Sequence, residues 1–175
     1  QSMLQKRREV RSARIPWWAL TWPRNNNIFS ERSIVTPYRS TTVRFALNTK
    51  GLYYTSDCTM IVVDDSKIDR YFLLGFLNST IFECWYRLKG KNRGAMLEFL
   101  ASPLQQVPIP RISLETESTI ATAVADLHSI DVQSPQWGVQ VKMTKETIDQ
   151  LLFKALNLSL AKQSQMYKFV QQFTN

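Results

Sequence analysis

Cationic and hydroxyl side chains are interleaved along one stretch of the sequence, and this combination suits contacts with phosphates and base edges. From Ser33 to Leu47, apolar and polar residues alternate, which predicts pleated strands with one buried face. Arginine binds phosphate oxygens and guanine edges, and hydroxyl groups bind to either. The stretch therefore predicts a nucleic-acid-binding surface made of Arg39, Ser40, Thr41, Thr42 and Arg44. Its expected buried backing is Phe45, Leu47, Ile61 and Val63.

A second group of cations lies further along the chain, where the segment from Lys89 to Gly94 reads Lys-Gly-Lys-Asn-Arg-Gly. Two glycines with three cations predict an exposed, mobile loop that attracts phosphates, and an ordinary charged turn fits the same pattern equally well. The candidate contacts in this segment are Lys89, Lys91, Asn92 and Arg93. Arg24, in an earlier polar turn, is a further candidate.

Charge is unevenly distributed in this 175-residue chain, whose formal net charge is +8. Residues 1–50 contain ten Lys and Arg against Glu9 and Glu31, whereas the rest of the chain is close to neutral. A basic first third favours contact with a polyanion on one side of the molecule. A bias that only improves solubility is the alternative.

The sequence contains no motif for catalysis or for binding a cofactor. It has no glycine-rich phosphate loop, no dinucleotide fingerprint and no nucleophile elbow. His128, Cys58 and Cys84 are too few for a structural zinc site, which needs about four ligands. Asp64 and Asp65 are expected to start a helix rather than to hold a metal. The chain is therefore predicted to be a binding module without catalytic residues, metal or cofactor of its own.

The expected location is the cytoplasm. The longest apolar run, from Tyr71 to Leu77, is too short to cross a bilayer. Both cysteines lie among apolar residues and are expected to be reduced core thiols, which fits a reducing compartment.

Hydrophobic periodicity predicts an α+β fold, with a small, mainly antiparallel sheet, packed helices and a helical C-terminal part. Strands are expected over 33–38, 43–48, 52–54 and 59–63. Helices are expected over 4–14, after Asp64-Asp65-Ser66, over 81–88, over 114–130, from an N-cap at Thr144, and over 159–173. The chain is expected to divide into a tag remnant with the end of an upstream helix (1–14), an α+β recognition domain (15–112), and a helical part packed on it (113–175).

The residues alone are also compatible with a function other than nucleic-acid binding. Trp17, Trp18 and Trp22 suit packing in a core or at a domain interface, and they also suit stacking on bases. Together with the apolar C-terminal helices, they are compatible with a protein-interaction or dimerisation module.

The order of several short motifs resembles that of a known family. Between residues 15 and 160 the motifs are Trp18-x-Leu20 with Pro23-Arg24, Ser33-Ile34-Val35-Thr36-Pro37-Tyr38-Arg39, Arg44-Phe45-Ala46-Leu47-Asn48, Gly51-x-Tyr53, Leu73-Leu74-Gly75-Phe76-Leu77-Asn78-Ser79, Lys89-Gly90-Lys91 and Pro108-Ile109-Pro110. This order resembles the TaqI-like C-terminal specificity domain, the target-recognition part of adenine DNA methyltransferases and of fused type IIG restriction–modification enzymes. Asn157 stands where a closing "LYGL"-like segment of that family usually has glycine.

The resemblance implies a DNA-recognition domain linked to an upstream methyltransferase domain, with or without a nuclease. The methyl donor of that upstream domain would be S-adenosylmethionine, and the family's catalytic Asn/Asp-Pro-Pro-Tyr/Phe motif is missing from this chain. The partner would be double-stranded DNA. The implied phosphate contacts are Arg24, Arg39, Arg44, Lys89, Lys91 and Arg93, and a few of these would read base edges with Ser40, Thr41, Thr42 or Asn92.

Overall fold

The computed structural model describes residues 2–19, 29 and 33–173. Its strands are β1 (Ser33–Pro37), β2 (Arg39–Ser40), β3 (Ala46–Leu47), β4 (Cys58–Val62), β5 (Lys91–Arg93) and β6 (Met96–Glu98). Its helices are α1 (Ser2–Gln5), α2 (Arg8–Arg11), α3 (Arg70–Leu77), α4 (Thr80–Lys89), α5 (Ala101–Gln105), α6 (Leu114–Ser129), α7 (Trp137–Ala155) and α8 (Leu160–Gln171). The predicted α+β class is confirmed. In the part of the chain that the structure describes, no helix is long and apolar enough to cross a membrane.

The strands form two small antiparallel sheets. The first has the order β3-β1-β4, and the central Ile34 pairs with Leu47 on one side and Ile61 on the other. The second has the order β2-β6-β5. Tyr38 connects the two sheets, because its N–H donates to the carbonyl of Asp57 at 2.6 Å and its carbonyl accepts from the N–H of Phe99 at 2.9 Å.

A close approach between α3 and α6 forms the helical part of the core. A Cβ atom added to Gly75 would lie 2.9 Å from Cγ2 of Ile120 and 3.0 Å from Cγ2 of Val124. These distances are shorter than normal carbon contacts, so only glycine allows this packing at position 75. Ile148 and Leu152 of α7 belong to the same buried cluster as the side chains of α3 and α6.

Aromatic side chains link α4 to both sheets. Phe45, just before β3, makes edge-to-face contacts with Phe82 at 5.4 Å and with Phe99 at 5.1 Å between ring centroids. Tyr86 packs on Phe99 with a centroid separation of 5.0 Å, and its hydroxyl donates to the Glu98 carbonyl at 2.8 Å. Burial raises the pKa of Tyr86 to about 12, so this hydroxyl stays protonated and keeps donating.

Polar groups buried between α3, α4 and α7 fix the start of α4. The Asp149 carboxylate accepts from the Thr80 N–H at 2.7 Å and from the Thr80 hydroxyl at 2.6 Å. Lys145 donates to the Asn78 carbonyl at 2.8 Å, and its Nζ lies 3.7 Å from Oδ2 of Asp149. Asp149 thus satisfies an N-terminal donor of α4, and Lys145 satisfies a carbonyl at the end of α3, groups that neither helix can satisfy within itself.

Several predicted elements differ from those in the structure. The strand expected at 52–54 is a loop, because the side chain of Asn48 donates to the Leu52 carbonyl and accepts from the Leu52 N–H. The strand expected at 43–48 shortens to β3. The expected helix over 4–14 is two short helices, α1 and α2. α7 begins at Trp137 instead of after Thr144. The sequence does not indicate this earlier start, because the apolar residues Val139, Val141 and Met143 are exposed and do not follow helical spacing.

The helix-start signal at Asp64-Asp65-Ser66 was also misplaced. These residues form a turn in which the Ser66 N–H and hydroxyl donate to Asp64. The N-cap of α3 is Asp69, whose carboxylate accepts from the N–H groups of Tyr71 and Phe72. Several acidic and hydroxyl residues precede this helix, and each has the capping chemistry.

Candidate nucleic-acid interface

One face of the second sheet carries a row of three charged side chains. Arg39 of β2, Glu98 of β6 and Lys91 of β5 are direct cross-strand partners, so their side chains project from the same face. Nε and Nη2 of Arg39 both lie 2.9 Å from Oε1 of Glu98, and Nζ of Lys91 lies 3.5 Å from its Oε2. The carboxylate therefore bridges two cations from the outer strands.

The two cations keep the Glu98 carboxylate ionised. Burial alone would raise its pKa, but the hydrogen bond and positive charge of Arg39, together with Lys91, lower the pKa of Glu98 below its ordinary value. The side chain of Glu98 is 5% exposed, compared with 42% for Arg39 and 58% for Lys91. The cations thus cover the carboxylate and present themselves to solvent.

Tyr38 holds the Arg39 guanidinium from a second direction. The guanidinium carbon of Arg39 lies 5.1 Å from the centroid of the Tyr38 ring, within the range of a cation–π interaction. A carboxylate on one edge and an aromatic ring against one face restrict the rotamers of this long side chain.

The neighbouring row on the same face adds a further cation. Arg93 of β5 pairs with Met96 of β6. Each of these residues lies two positions along its strand from Lys91 or Glu98. Because side chains two positions apart in a strand project from the same face, both rows lie on one side of the sheet. Both side chains of this second row are exposed. We call this surface, formed by Arg39, Lys91, Arg93, Met96 and Glu98, the cationic sheet face.

A family comparison identifies the kind of domain to which this face belongs. A family profile described as the TaqI-like C-terminal specificity domain matches residues 6–109, a range that includes both sheets. The chain belongs to this family.

Several type II methyltransferases are similar to this specificity domain. It is 26% identical over 152 residues to the type II methyltransferase M.HincII of Haemophilus influenzae, an alignment that covers 74% of this chain and 30% of that protein. It is 30% identical over 114 residues to the type II methyltransferase M.MjaIV of Methanocaldococcus jannaschii, with 65% and 37% covered. The chain thus spans about a third of the length of these relatives.

The specificity domain brings only part of the predicted contact set onto the cationic sheet face. Arg39, Lys91 and Arg93 lie on it, and Lys89 is exposed at the end of α4. Lys91–Arg93 is a strand, so the expected mobile loop at 89–94 is corrected to a β-hairpin. Arg24 lies outside the described residues.

Other predicted contacts are engaged within the protein. Ser40 is 3% exposed, and its hydroxyl accepts from the Thr42 N–H at 3.3 Å and from Nε of Arg44 at 3.1 Å. Asn92 donates to the carbonyl of Arg87 at 2.6 Å. Thr41 and Arg44 are exposed and Thr42 is half-buried, beside the sheet rather than in its two rows.

A buried ion pair in α4, which the sequence reasoning missed, supports the face from below. Arg87 binds Glu83 through Nε at 3.0 Å and donates through Nη2 to the Thr41 carbonyl at 2.6 Å. Its Nη1 donates to the Ala95 carbonyl at 3.4 Å, in the turn between β5 and β6. The i,i+4 spacing of these two opposite charges in the predicted helix was the available signal.

The helical C-terminal part of the chain packs over this ion pair. The ring centroid of Phe173, just after α8, lies 4.1 Å from the guanidinium carbon of Arg87. Cys84, one turn earlier in α4, donates weakly to the Met166 carbonyl at 3.6 Å. Burial and the nearby carboxylate of Glu83 raise the pKa of the Cys84 thiol to about 11, so it is protonated at neutral pH.

Across residues 2–19, 29 and 33–173, no group of three or more His, Cys, Asp or Glu side chains is arranged to hold a metal ion. What the arrangement offers chemically is a rigid, cationic, hydrogen-bond-donating surface.

Proposed function

We propose that this specificity domain binds duplex DNA through the cationic sheet face and positions it for a covalently linked methyltransferase domain. The observation that carries the proposal is the placement of Arg39, Lys91 and Arg93 on one exposed sheet face. Membership of a specificity-domain family and similarity to type II methyltransferases support a target-recognition role in restriction–modification.

The linked domain would supply all of the chemistry. By its family, it would transfer a methyl group from S-adenosylmethionine to the exocyclic amine of adenine, with or without an attached nuclease. The target adenine must leave the base stack, because its amine is not reachable by the enzyme inside the duplex. The specificity domain would hold the duplex in register while this happens, through phosphate contacts that are independent of sequence and base contacts that select the site.

Titration of the chain with a duplex at increasing salt tests DNA binding directly. Each phosphate contact releases a counterion, so affinity should fall steeply with salt, and Arg93→Ala should weaken binding to all sequences and lower the salt slope by about one. The matched control is Lys142→Ala, which removes an exposed cation from α7 and should leave binding unchanged. An absence of salt-sensitive binding, or equal effects of the two variants, would overturn the proposal.

A protein-interaction module is the second candidate, and exposed apolar side chains favour it. Trp18 is 70% exposed, and Val139 and Met143 of α7 are 59% and 54% exposed. A dimer that forms with increasing protein concentration, with no salt-sensitive DNA binding, would support this candidate over the first.

A further inference from the structure

We propose that Arg39 reads a guanine base, and that Glu98 and Tyr38 are positioning residues that aim it. This inference rests on the proposed function and adds to it the base that is recognised. It also separates Arg39 from the other cations of the face, which would contact phosphates.

The geometry of the Arg39 guanidinium leaves one edge available. Arginine has five N–H donors in a planar fork. The edge formed by Nε and Nη2 is taken by Oε1 of Glu98, with both nitrogens 2.9 Å from that oxygen. The end of the fork, Nη1 with the outer hydrogen of Nη2, has no hydrogen-bond partner among the described residues, and the side chain is 42% exposed.

Guanine matches the edge that remains. Its O6 and N7 are two adjacent acceptors, and a bidentate contact from arginine to this pair is the commonest specific contact in protein–DNA complexes. The end of an arginine fork supplies two parallel donors for it. Because Glu98 and Tyr38 already restrict the side chain, Arg39 would lose less rotamer entropy on binding than an unrestrained arginine.

The presence of Glu98 argues for base reading and against a phosphate contact at this position. A carboxylate in the middle of a cationic face repels phosphates and cancels one positive charge, so it weakens general attraction to DNA. A phosphate group accepts from arginine in several orientations, bidentate ones included, whereas guanine presents its O6 and N7 acceptors in one fixed direction, so a guanidinium held in place suits the base more than the phosphate. Arg93 provides the contrast, because no ion pair restrains it in the described part of the chain and its side chain is exposed.

Selection of bound sequences from a randomised duplex library, at low salt and with the 175-residue chain, tests the assignment. The wild-type chain should enrich guanine at one position of the bound sequences. Arg39→Lys and Glu98→Gln should each reduce that enrichment by about tenfold, whereas Arg93→Lys, the matched control, should leave it intact. A purely structural role of Glu98 would instead lower affinity for every sequence alike and leave the base preference unchanged.

A second measurement isolates the acceptor on the base. Replacing the selected guanine with 7-deazaguanine removes N7, and it should weaken binding of the wild-type chain by about tenfold but have little effect on Arg39→Lys. Salt-sensitive binding with no base preference, or a guanine preference unchanged in Arg39→Lys and Glu98→Gln, would overturn the inference and leave the proposed function standing. Absence of salt-sensitive binding would overturn the proposed function itself.

Discussion

The side-chain amide of Asn78 binds both backbone groups of Phe45. Its Oδ1 accepts from the Phe45 N–H at 3.0 Å, and its Nδ2 donates to the Phe45 carbonyl at 3.0 Å and to the Leu74 carbonyl at the same distance. The end of α3 is thereby attached to the segment that enters β3. Two of the short motifs that revealed the family resemblance, one containing Phe45 and one containing Asn78, are thus held together by direct hydrogen bonds.

Asn78→Ala should destabilise the protein by about 2 kcal/mol, because it leaves partly buried backbone groups of Phe45 without partners. Urea denaturation followed by circular dichroism measures this loss. The matched control is Gln105→Ala, an exposed amide in α5, which should change the free energy of unfolding by less than about 0.5 kcal/mol. Equal stabilities of the two variants would contradict the importance of the Asn78 contacts.

Gly75→Ala should lower the free energy of unfolding by about 1 to 3 kcal/mol, since the new methyl group would overlap Ile120 and Val124 in a packed core. Gly138→Ala is the matched control, because a Cβ atom there meets nothing within 4 Å. Gly138 lies in α7, and alanine has a higher helix propensity than glycine, so this control should stabilise the protein by up to about 1 kcal/mol. Thermal unfolding should show a lower melting temperature for Gly75→Ala and a higher one for Gly138→Ala. A stabilised Gly75→Ala variant would show that α6 is free to move away.

Arg87→Met should cost about 3 to 5 kcal/mol, because it leaves the Glu83 carboxylate buried without its cation. The double variant Glu83→Leu with Arg87→Met should recover most of this stability, which denaturant unfolding can measure as a double-mutant cycle.

The same double variant separates support of the interface from stability. It still lacks the hydrogen bonds from Arg87 to the carbonyls of Thr41 and Ala95, so DNA affinity should remain below that of the wild type. Wild-type affinity in a stably folded double variant would show that Arg87 does not support the cationic sheet face.

Acidification should remove the stabilisation supplied by Glu98. Its pKa is lower in the folded protein than in the unfolded chain, so its contribution is full above the unfolded pKa and is lost as the pH falls through the folded pKa. The melting temperature of the wild type should therefore exceed that of Glu98→Gln near neutral pH, and the gap should close as the pH falls through the lowered pKa of the folded state. A gap that stays constant as the pH falls would show that the charge of Glu98 does not stabilise the fold.

The helices are the part of this protein that local sequence patterns predict well. The sequences of α3, α4, α6 and α8 repeat apolar residues at helical spacing. The N-cap residues Ser113 and Ser159 mark where α6 and α8 begin. The expected strands over 33–38 and 59–63 likewise correspond to β1 and β4, because both short runs are rich in the β-branched residues Val, Ile and Thr.

The surroundings of Arg39 depend on long-range strand pairing, which local sequence patterns do not predict. Arg39 lies between the strands expected over 33–38 and 43–48, but in the structure β2 leaves the first sheet at Tyr38 and pairs with β6, so the Arg39–Glu98 contact joins residues 59 positions apart. The sequence marks Arg39 as a candidate through its chemistry. Its restraint by Glu98, the burial of Ser40 and the support from Arg87 depend on which strands become neighbours, and that choice is made by burial of the apolar core rather than by any local pattern.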